Sequence, residues 1–400
     1  METIALHPPK TQETKVVSSS VEKSALTWYS YALLMSSLSI VTGVIWDISW
    51  HMSIGRDTLF SPPHMAIYLG GILAGISSFY KVISISFFSS SAEKEKAVSF
   101  WGLKAPVGAL FCIWGAGAMV TSAPFDDWWH NAYGLDVKIL SPPHTLLAFG
   151  IIFIQLGAML HLLALQNQSE KSLTDDGSKH TLRLLFALMS GILVIGLYIF
   201  SVEYMGRAHM HNPIYYQVAC GVLPLCLISG MRASRLKWPA VTIAAVYMMG
   251  FILALWILPL FHAEPKLAPI RYRVDHMVPL PFPTLLIIPA LGLDLVMRRF
   301  KHRSLWMQAL VAGSVFFTCL LAAQWFFSIF MMSPYARNWV FGAHEWAYYA
   351  NPNAPYRYAF RPFPGTQLQY FVSFASALAI AVLSSRIALA WGNWMRRVQR

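Results

Sequence analysis

Apolar runs long enough to cross a bilayer recur ten times along this chain, and no soluble fold accommodates that pattern. The runs fall at roughly 27–51, 62–82, 103–124, 142–166, 183–204, 214–231, 238–260, 282–298, 305–331 and 368–391. At 1.5 Å per residue each is expected to span a hydrocarbon core of ~30 Å, with tilt taking up the excess length. Composition agrees: 56% of the 400 residues are hydrophobic and 12% charged, about half the ~25% charge of an average globular domain. The expected fold class is an all-α, polytopic transmembrane helical bundle.

The loops between the runs alternate in character. One set is basic: Lys94, Lys96 and Lys104; Lys171, Lys179 and Arg183; Arg232, Arg235 and Lys237; "RRFKHR" at 298–303; and the terminal "RRVQR". The positive-inside rule places these loops, and both termini, on the cytoplasmic side. The other set, 51–61, 125–141, 205–213, 261–281 and 332–367, is rich in His, Trp, Tyr and Pro and is expected on the periplasmic or extracellular face. The first two dozen residues are polar, lack a secretory signal, and read as a cytosolic tail over 1–25. A duplicated region is expected over 26–166, followed by six further helices over 167–400. The net charge of +12 is accounted for by helix orientation, and no aromatic-basic module points to nucleic acid. Cys112, Cys220, Cys226 and Cys319 lie in apolar runs without CxxC spacing and read as small buried residues.

This sorting puts nine of the thirteen histidines on one face: His51, His64, His130, His144, His209, His211, His262, His276 and His344. Chemistry is concentrated in a repeated motif among them. "WDISWHMSIGRDTLFSPPH" (46–64) and "FDDWWHNAYGLDVKILSPPH" (125–144) share one plan. Asp47 and His51 are four residues apart, as are Asp126 and His130, so each pair lies on one helical face. A glycine follows each histidine by four residues, then Asp57 or Asp136. Ser-Pro-Pro-His then opens the next helix. Proline suits a first helical turn, and Ser61 and Ser141 are natural N-caps. Each copy is thus expected to be a helical hairpin offering Asp, His and His at one depth. A carboxylate with two imidazoles, and no thiolate in reach, suits copper, zinc, iron or nickel. Asp57 and Asp136 are candidates for orienting the imidazoles or binding metal themselves. An Asp-His pair alone at a helix end is commonly just an interfacial hydrogen bond; the repetition carries the metal reading.

The first copy resembles the C subunit of the copper-dependent membrane monooxygenases, the particulate methane and ammonia monooxygenase family. The likeness rests on Asp47-x3-His51-x12-His64 and the intervening "GRDTLFSPPH", some forty residues in all. It implies copper at Asp47, His51 and His64 near the outer face, an oxidoreductase (monooxygenase-like) role, and other membrane subunits as partners. The second copy has spacing Asp-x3-His-x13-His, and the further Asn-x3-His of that subunit is not found in this chain. Iron and zinc stay open as metals. A metal transport or delivery protein, and a metal-binding structural subunit of a larger membrane complex, are the alternatives. Homo-oligomerisation is an alternative to foreign subunits, and an enzyme here would act on a small-molecule substrate.

Weaker candidates lie elsewhere on the same face. "SVEYMGRAHMHNP" offers Glu203, His209 and His211, and "RYRVDHMVPLPFP" offers Asp275 and His276. The aromatic loop 332–367 is long enough to be a lid or a docking surface. Asp294 is expected to pair with Arg298 one turn on.

Overall fold

The computed structural model describes residues 26–56, 58–95, 97–134, 141–172 and 175–399. Ten long helices make up the bundle: α1 (Trp28–Ser53), α2 (Pro62–Ile83), α3 (Val107–Tyr133), α4 (Pro142–Ser172), α5 (Asp176–Ser201), α6 (Pro213–Ala233), α7 (Pro239–Ile257), α8 (Ile287–Phe300), α9 (Leu305–Met332) and α10 (Gln367–Met395). All but α8 are long and apolar enough to cross a membrane. The chain is an integral, multi-pass membrane protein. The expected tail over 1–25 lies outside the described residues.

Burial orders the helices. Two-thirds or more of the apolar window is buried in α4, α5 and α6 (67%, 72% and 67%), so these form the centre. The others keep large apolar side chains on their outer faces, among them Leu69, Ile76, Val120, Phe326 and Phe371. In a bilayer those faces meet lipid tails, which are as apolar as the side chains themselves.

The first four helices form two hairpins that pack through equivalent positions. In the first, a Cβ built on Gly70 would meet Ile40 Cγ1 at 2.5 Å and the Ser36 carbonyl oxygen at 2.7 Å. In the second, one built on Gly150 would meet Met119 Cγ at 2.6 Å and the Gly115 carbonyl oxygen at 2.8 Å. Gly70 and Gly150 each stand six residues after the motif histidine. Ile40 and Met119 each stand seven before the motif aspartate, and Ser36 and Gly115 eleven before it. The duplication therefore extends from the loops deep into the helices. Small residues let the two backbones touch, which is how helices associate when lipid offers no hydrophobic drive.

Two departures of the helix boundaries from expectation change the backbone at a helix start. Residues 103–105 do not begin a helix: Leu103–Ala105 pairs antiparallel with Val98–Phe100 in a short hairpin, turned at Trp101 and Gly102. The larger departure is at 282–298. Residues 277–285 carry no regular secondary structure, and α8 begins only at Ile287. Pro279, Pro281 and Pro283 explain this, since each lacks an N–H and restricts the residue before it. Much of the extended stretch is buried, and neighbouring side chains satisfy its backbone. Ser53 Oγ accepts from the Val278 amide (2.7 Å), Ser49 Oγ donates to the Val278 carbonyl (2.7 Å), and Gln324 Oε1 accepts from the Leu285 amide (3.2 Å). Non-helical backbone inside a membrane protein is tolerated where protein supplies such partners.

Asp294 does not pair with Arg298. Its carboxylate accepts from the Ala240 and Val241 amides (3.2 and 3.0 Å), capping the start of α7, where Trp238 has no side-chain acceptor to offer. The first amides of a helix have no partner within it and favour a negative charge. Arg298 instead donates to the Lys237 carbonyl and lies 3.8 Å over the Trp238 ring. The cysteines are free, with Cys112, Cys220 and Cys226 buried as expected and Cys319 partly so.

The hairpin register gives a prediction. Gly150→Ala forces a methyl group onto the α3 backbone and is expected to lower stability by about 1–3 kcal/mol, the usual cost of overpacking. Thermal unfolding in detergent measures it, and Gly117→Ala, which meets nothing within 4 Å, is the neutral control.

Candidate metal centre

Both motif hairpins are built alike. α1 and α3 carry their Asp-His pairs on the last two turns and end at Gly55 and Gly134, whose φ values of 81° and 86° are left-handed conformations that other residues resist. The Gly134 amide closes the helix on the His130 carbonyl (3.0 Å). α3 runs further than expected, through Pro124 to Tyr133, so Asp126 and His130 are helical rather than in a loop. α2 and α4 begin at the two prolines and bring His64 and His144 back level with the aspartates.

The distances bear out the expected levelling. His64 Nε2 lies 3.2 Å from Asp47 Oδ1, and His51 Nε2 lies 3.9 Å from Asp47 Oδ2. In the second copy, Asp126 Oδ1 is 3.7 Å from His130 Nε2 and 3.3 Å from His144 Nε2. Asp126, His130 and His144 offer ligand atoms that all fall within 4.8 Å of one another, the one such group among the described residues. Two donors at ~2.1 Å from one metal in tetrahedral array are about 3.4 Å apart, and the two distances from Asp126 to the imidazoles lie within about 0.3 Å of that value. In the first copy, Asp47 reaches both imidazoles, but the three ligand atoms do not all meet that span.

Asp126 Oδ1, His130 Nε2 and Asp47 Oδ1 are buried and have no hydrogen-bond partner, although imidazole nitrogens stand 3.2–3.7 Å away. Buried polar groups normally find partners, because leaving them unpaired costs about 1–3 kcal/mol each. Buried carboxylate and imidazole atoms gathered this closely are the donor types of a metal-ligand set. This fits a bound cation, which would sit between Asp126, His130 and His144.

The surroundings hold the rings in place. His64 Nδ1 donates to the Thr58 carbonyl (2.9 Å). A carbonyl can only accept, so this bond places the proton on Nδ1 and turns the Nε2 toward Asp47. Support of this kind from a backbone oxygen commonly fixes metal-binding histidines. Thr58 was not a sequence candidate, since no side-chain pattern marks a carbonyl. The two serines differ. Ser141 Oγ accepts from the His144 amide (3.3 Å) as an N-cap should. Ser61 Oγ instead exchanges hydrogen bonds with Thr58 (2.7 and 2.8 Å) and caps no helical amide. Trp50 Nε1 donates to the Arg56 carbonyl (2.9 Å), tying the first loop down. Trp129 packs on Tyr133 at 4.5 Å. Asp57 and Asp136 lie outside the described residues.

The remaining candidates sit in a cap formed by the loops 258–286 and 333–366 and the turn 202–212. Glu203 is exposed. His211 is stacked between Trp325 (3.9 Å) and Phe360 (3.7 Å), with Nε2 bonded to the Trp325 carbonyl (3.2 Å). Burial, more than the nearby Arg361, pushes His209 below the ordinary imidazole pKa. His276 lies between two carboxylates, with Asp275 Oδ1 at 2.7 Å from Nδ1 and Glu345 Oε2 at 3.0 Å from Nε2. Glu345 also reaches His344 Nε2 (3.0 Å). The cap grips the first hairpin through the Tyr348 amide on the Met52 carbonyl (3.0 Å) and the Lys266 amide on the Ile54 carbonyl (2.9 Å).

Comparison with known protein families, with curated proteins and with solved structures finds no match. The reading of the site therefore rests on its own geometry.

His276 makes the cap sensitive to pH. Burial opposes its charge, but the bonds to Asp275 and Glu345 outweigh burial and raise its pKa above the ordinary imidazole value. A raised imidazole pKa contributes stability below its unfolded value of about 6.5, lost as pH climbs through the folded one. The His276 bond holds Asp275 below the usual carboxylate range, so that contribution fades only in acid. The wild-type unfolding midpoint is expected to fall between about pH 6 and pH 8.5 by more than that of His276→Gln. Equal slopes for the two proteins would contradict the pairing.

Proposed function

We propose that this chain is a membrane metalloprotein that binds copper and serves as a monooxygenase-like oxidoreductase subunit. Its metal centre is Asp126, His130 and His144, with Asp47, His51 and His64 as a related second set. One observation carries this reading: three ligand atoms from two helices within 4.8 Å, two of them buried and unbonded. Two neutral imidazoles and a carboxylate suit copper, with iron and zinc as competitors. Copper bound there would supply redox chemistry. The chain's own part is to hold Asp126 and His130 one turn apart on α3 and to return His144 to them through the proline turn. The basic loops at the opposite end support cytoplasmic termini and motif hairpins at the periplasmic or extracellular face. Other membrane subunits, or further copies of this chain, would complete the assembly, acting on a small-molecule substrate.

Metal transport is the weaker alternative, because ligand-type side chains in the bundle interior already have structural partners. His161 Nε2 bonds Ser30 Oγ (2.9 Å), and Asp294 caps α7. Neither extends the motif set into a path.

Metal analysis of the purified protein tests the proposal. Roughly one equivalent or more of copper per chain is expected, and His130→Ala with His144→Ala is expected to lower it at least about tenfold. His51→Ala is expected to have the smaller effect, since the first set is the less convergent. Less than about 0.2 equivalents of copper, iron and zinc together, after loading with each metal, would overturn it.

A further inference from the structure

The cap also carries an arginine cluster that the metal centre does not use. Arg207, on the turn after α5, lies 4.9 Å over the Trp346 ring, and Arg357 lies 5.0 Å from the same ring. Arg337 lies 3.7 Å over Tyr358, with Arg357 5.5 Å from that ring. Three guanidinium groups thus surround two adjoining aromatic rings, which contact each other at 5.7 Å. Among the described residues, lysine and arginine ion pairs are confined to Lys179–Asp176 and Arg183–Glu170. None of the described carboxylates pairs with the cluster.

Among the described residues, ring faces and neutral oxygens are its compensation. Arg207 donates to the Ala343 carbonyl (2.7 Å), and Arg357 to the Tyr272 hydroxyl and, at 3.4 Å, to the Pro352 carbonyl. Arg357 Nε is buried and has no acceptor among the described residues. Burial, with Arg357 and Arg337 adding to it against Tyr358, pushes the Arg207 pKa down to about 10. Arginine is the last residue to lose its proton, so like charges held this close call for an anion. The guanidinium fork matches the paired oxygens of phosphate and carboxylate.

We propose that Arg207, Arg337 and Arg357 form a binding site for an oxyanion, a phosphate or carboxylate group seated beside Trp346 and Tyr358. The anion would supply the acceptor that Arg357 Nε lacks and lock loop 333–366 against the turn after α5. Because the cap lies at the membrane end of the bundle, the phosphate can arrive free or on a lipid headgroup. The site is independent of metal binding.

The test is thermal unfolding of the full-length protein in non-ionic detergent, followed by tryptophan fluorescence. The probes are inorganic phosphate against chloride at matched ionic strength, and short-chain phosphatidate against phosphatidylcholine of the same chains. Either anionic probe is expected to raise the midpoint, since a ligand that binds only the folded state stabilises it. Phosphate alone identifies a soluble anion, phosphatidate alone a lipid, and both a site open to either. Arg337→Gln and Arg357→Gln are expected to abolish the rise. Arg273→Gln, an exposed arginine on a neighbouring cap loop, is expected to keep it. Should a variant not fold, dialysis of radiolabelled phosphate against the wild-type protein reads binding directly. The proposal is overturned if neither probe shifts the midpoint and dialysis finds no retained phosphate, or if Arg273→Gln loses the response as fully as Arg337→Gln does.

Discussion

Two helices that touch at backbone level cannot slide past one another, and that constraint underlies the candidate centre. Gly70 on Ile40 and Ser36, and Gly150 on Met119 and Gly115, fix the register of each hairpin. A slip of one residue moves a histidine about 1.5 Å along its helix and rotates it by about 100°, enough to dissolve a ligand set. The proline turns then fix the direction of return. Ligand geometry in this protein is therefore a property of helix packing, and the short loops between the helices only close the distance.

The two copies have diverged in how they use that frame. The first is clasped from above by the cap, through Met52, Ile54 and Tyr348, and its loop is braced by Trp50, Ser61 and Thr58. The second draws its three ligand atoms closer. The cap itself depends on polar pairings, with His276 between two carboxylates on one side and the arginine cluster on the other. These interactions join segments far apart in sequence and gather titratable and anion-seeking groups in the cap that clasps the first hairpin.

Much of this was legible in the sequence because its periodicities are local. Runs of apolar residues give the helices, i to i+4 spacing gives Asp-His pairs on one face, and Pro-Pro-His gives the return. The depth of the duplication is written there too: Ser36 with Gly115, Ile40 with Met119 and Gly70 with Gly150 stand at equal offsets from the motifs. The extended stretch 277–285 was hidden because its composition is as apolar as a helix, and only its three prolines argue otherwise. The pairing of His276 with Glu345, the capping of α7 by Asp294 and the gathering of Arg207 with Arg337 and Arg357 are long-range meetings. No short spacing encodes them.

The most direct test of the central claim is X-ray absorption at the copper edge of the loaded protein. The account predicts scattering from about two imidazole rings with nitrogen and oxygen donors near 2.0 Å, and loss of one ring's contribution in His144→Ala. A spectrum without imidazole scattering, or one left unchanged by His144→Ala and by His130→Ala, would contradict it.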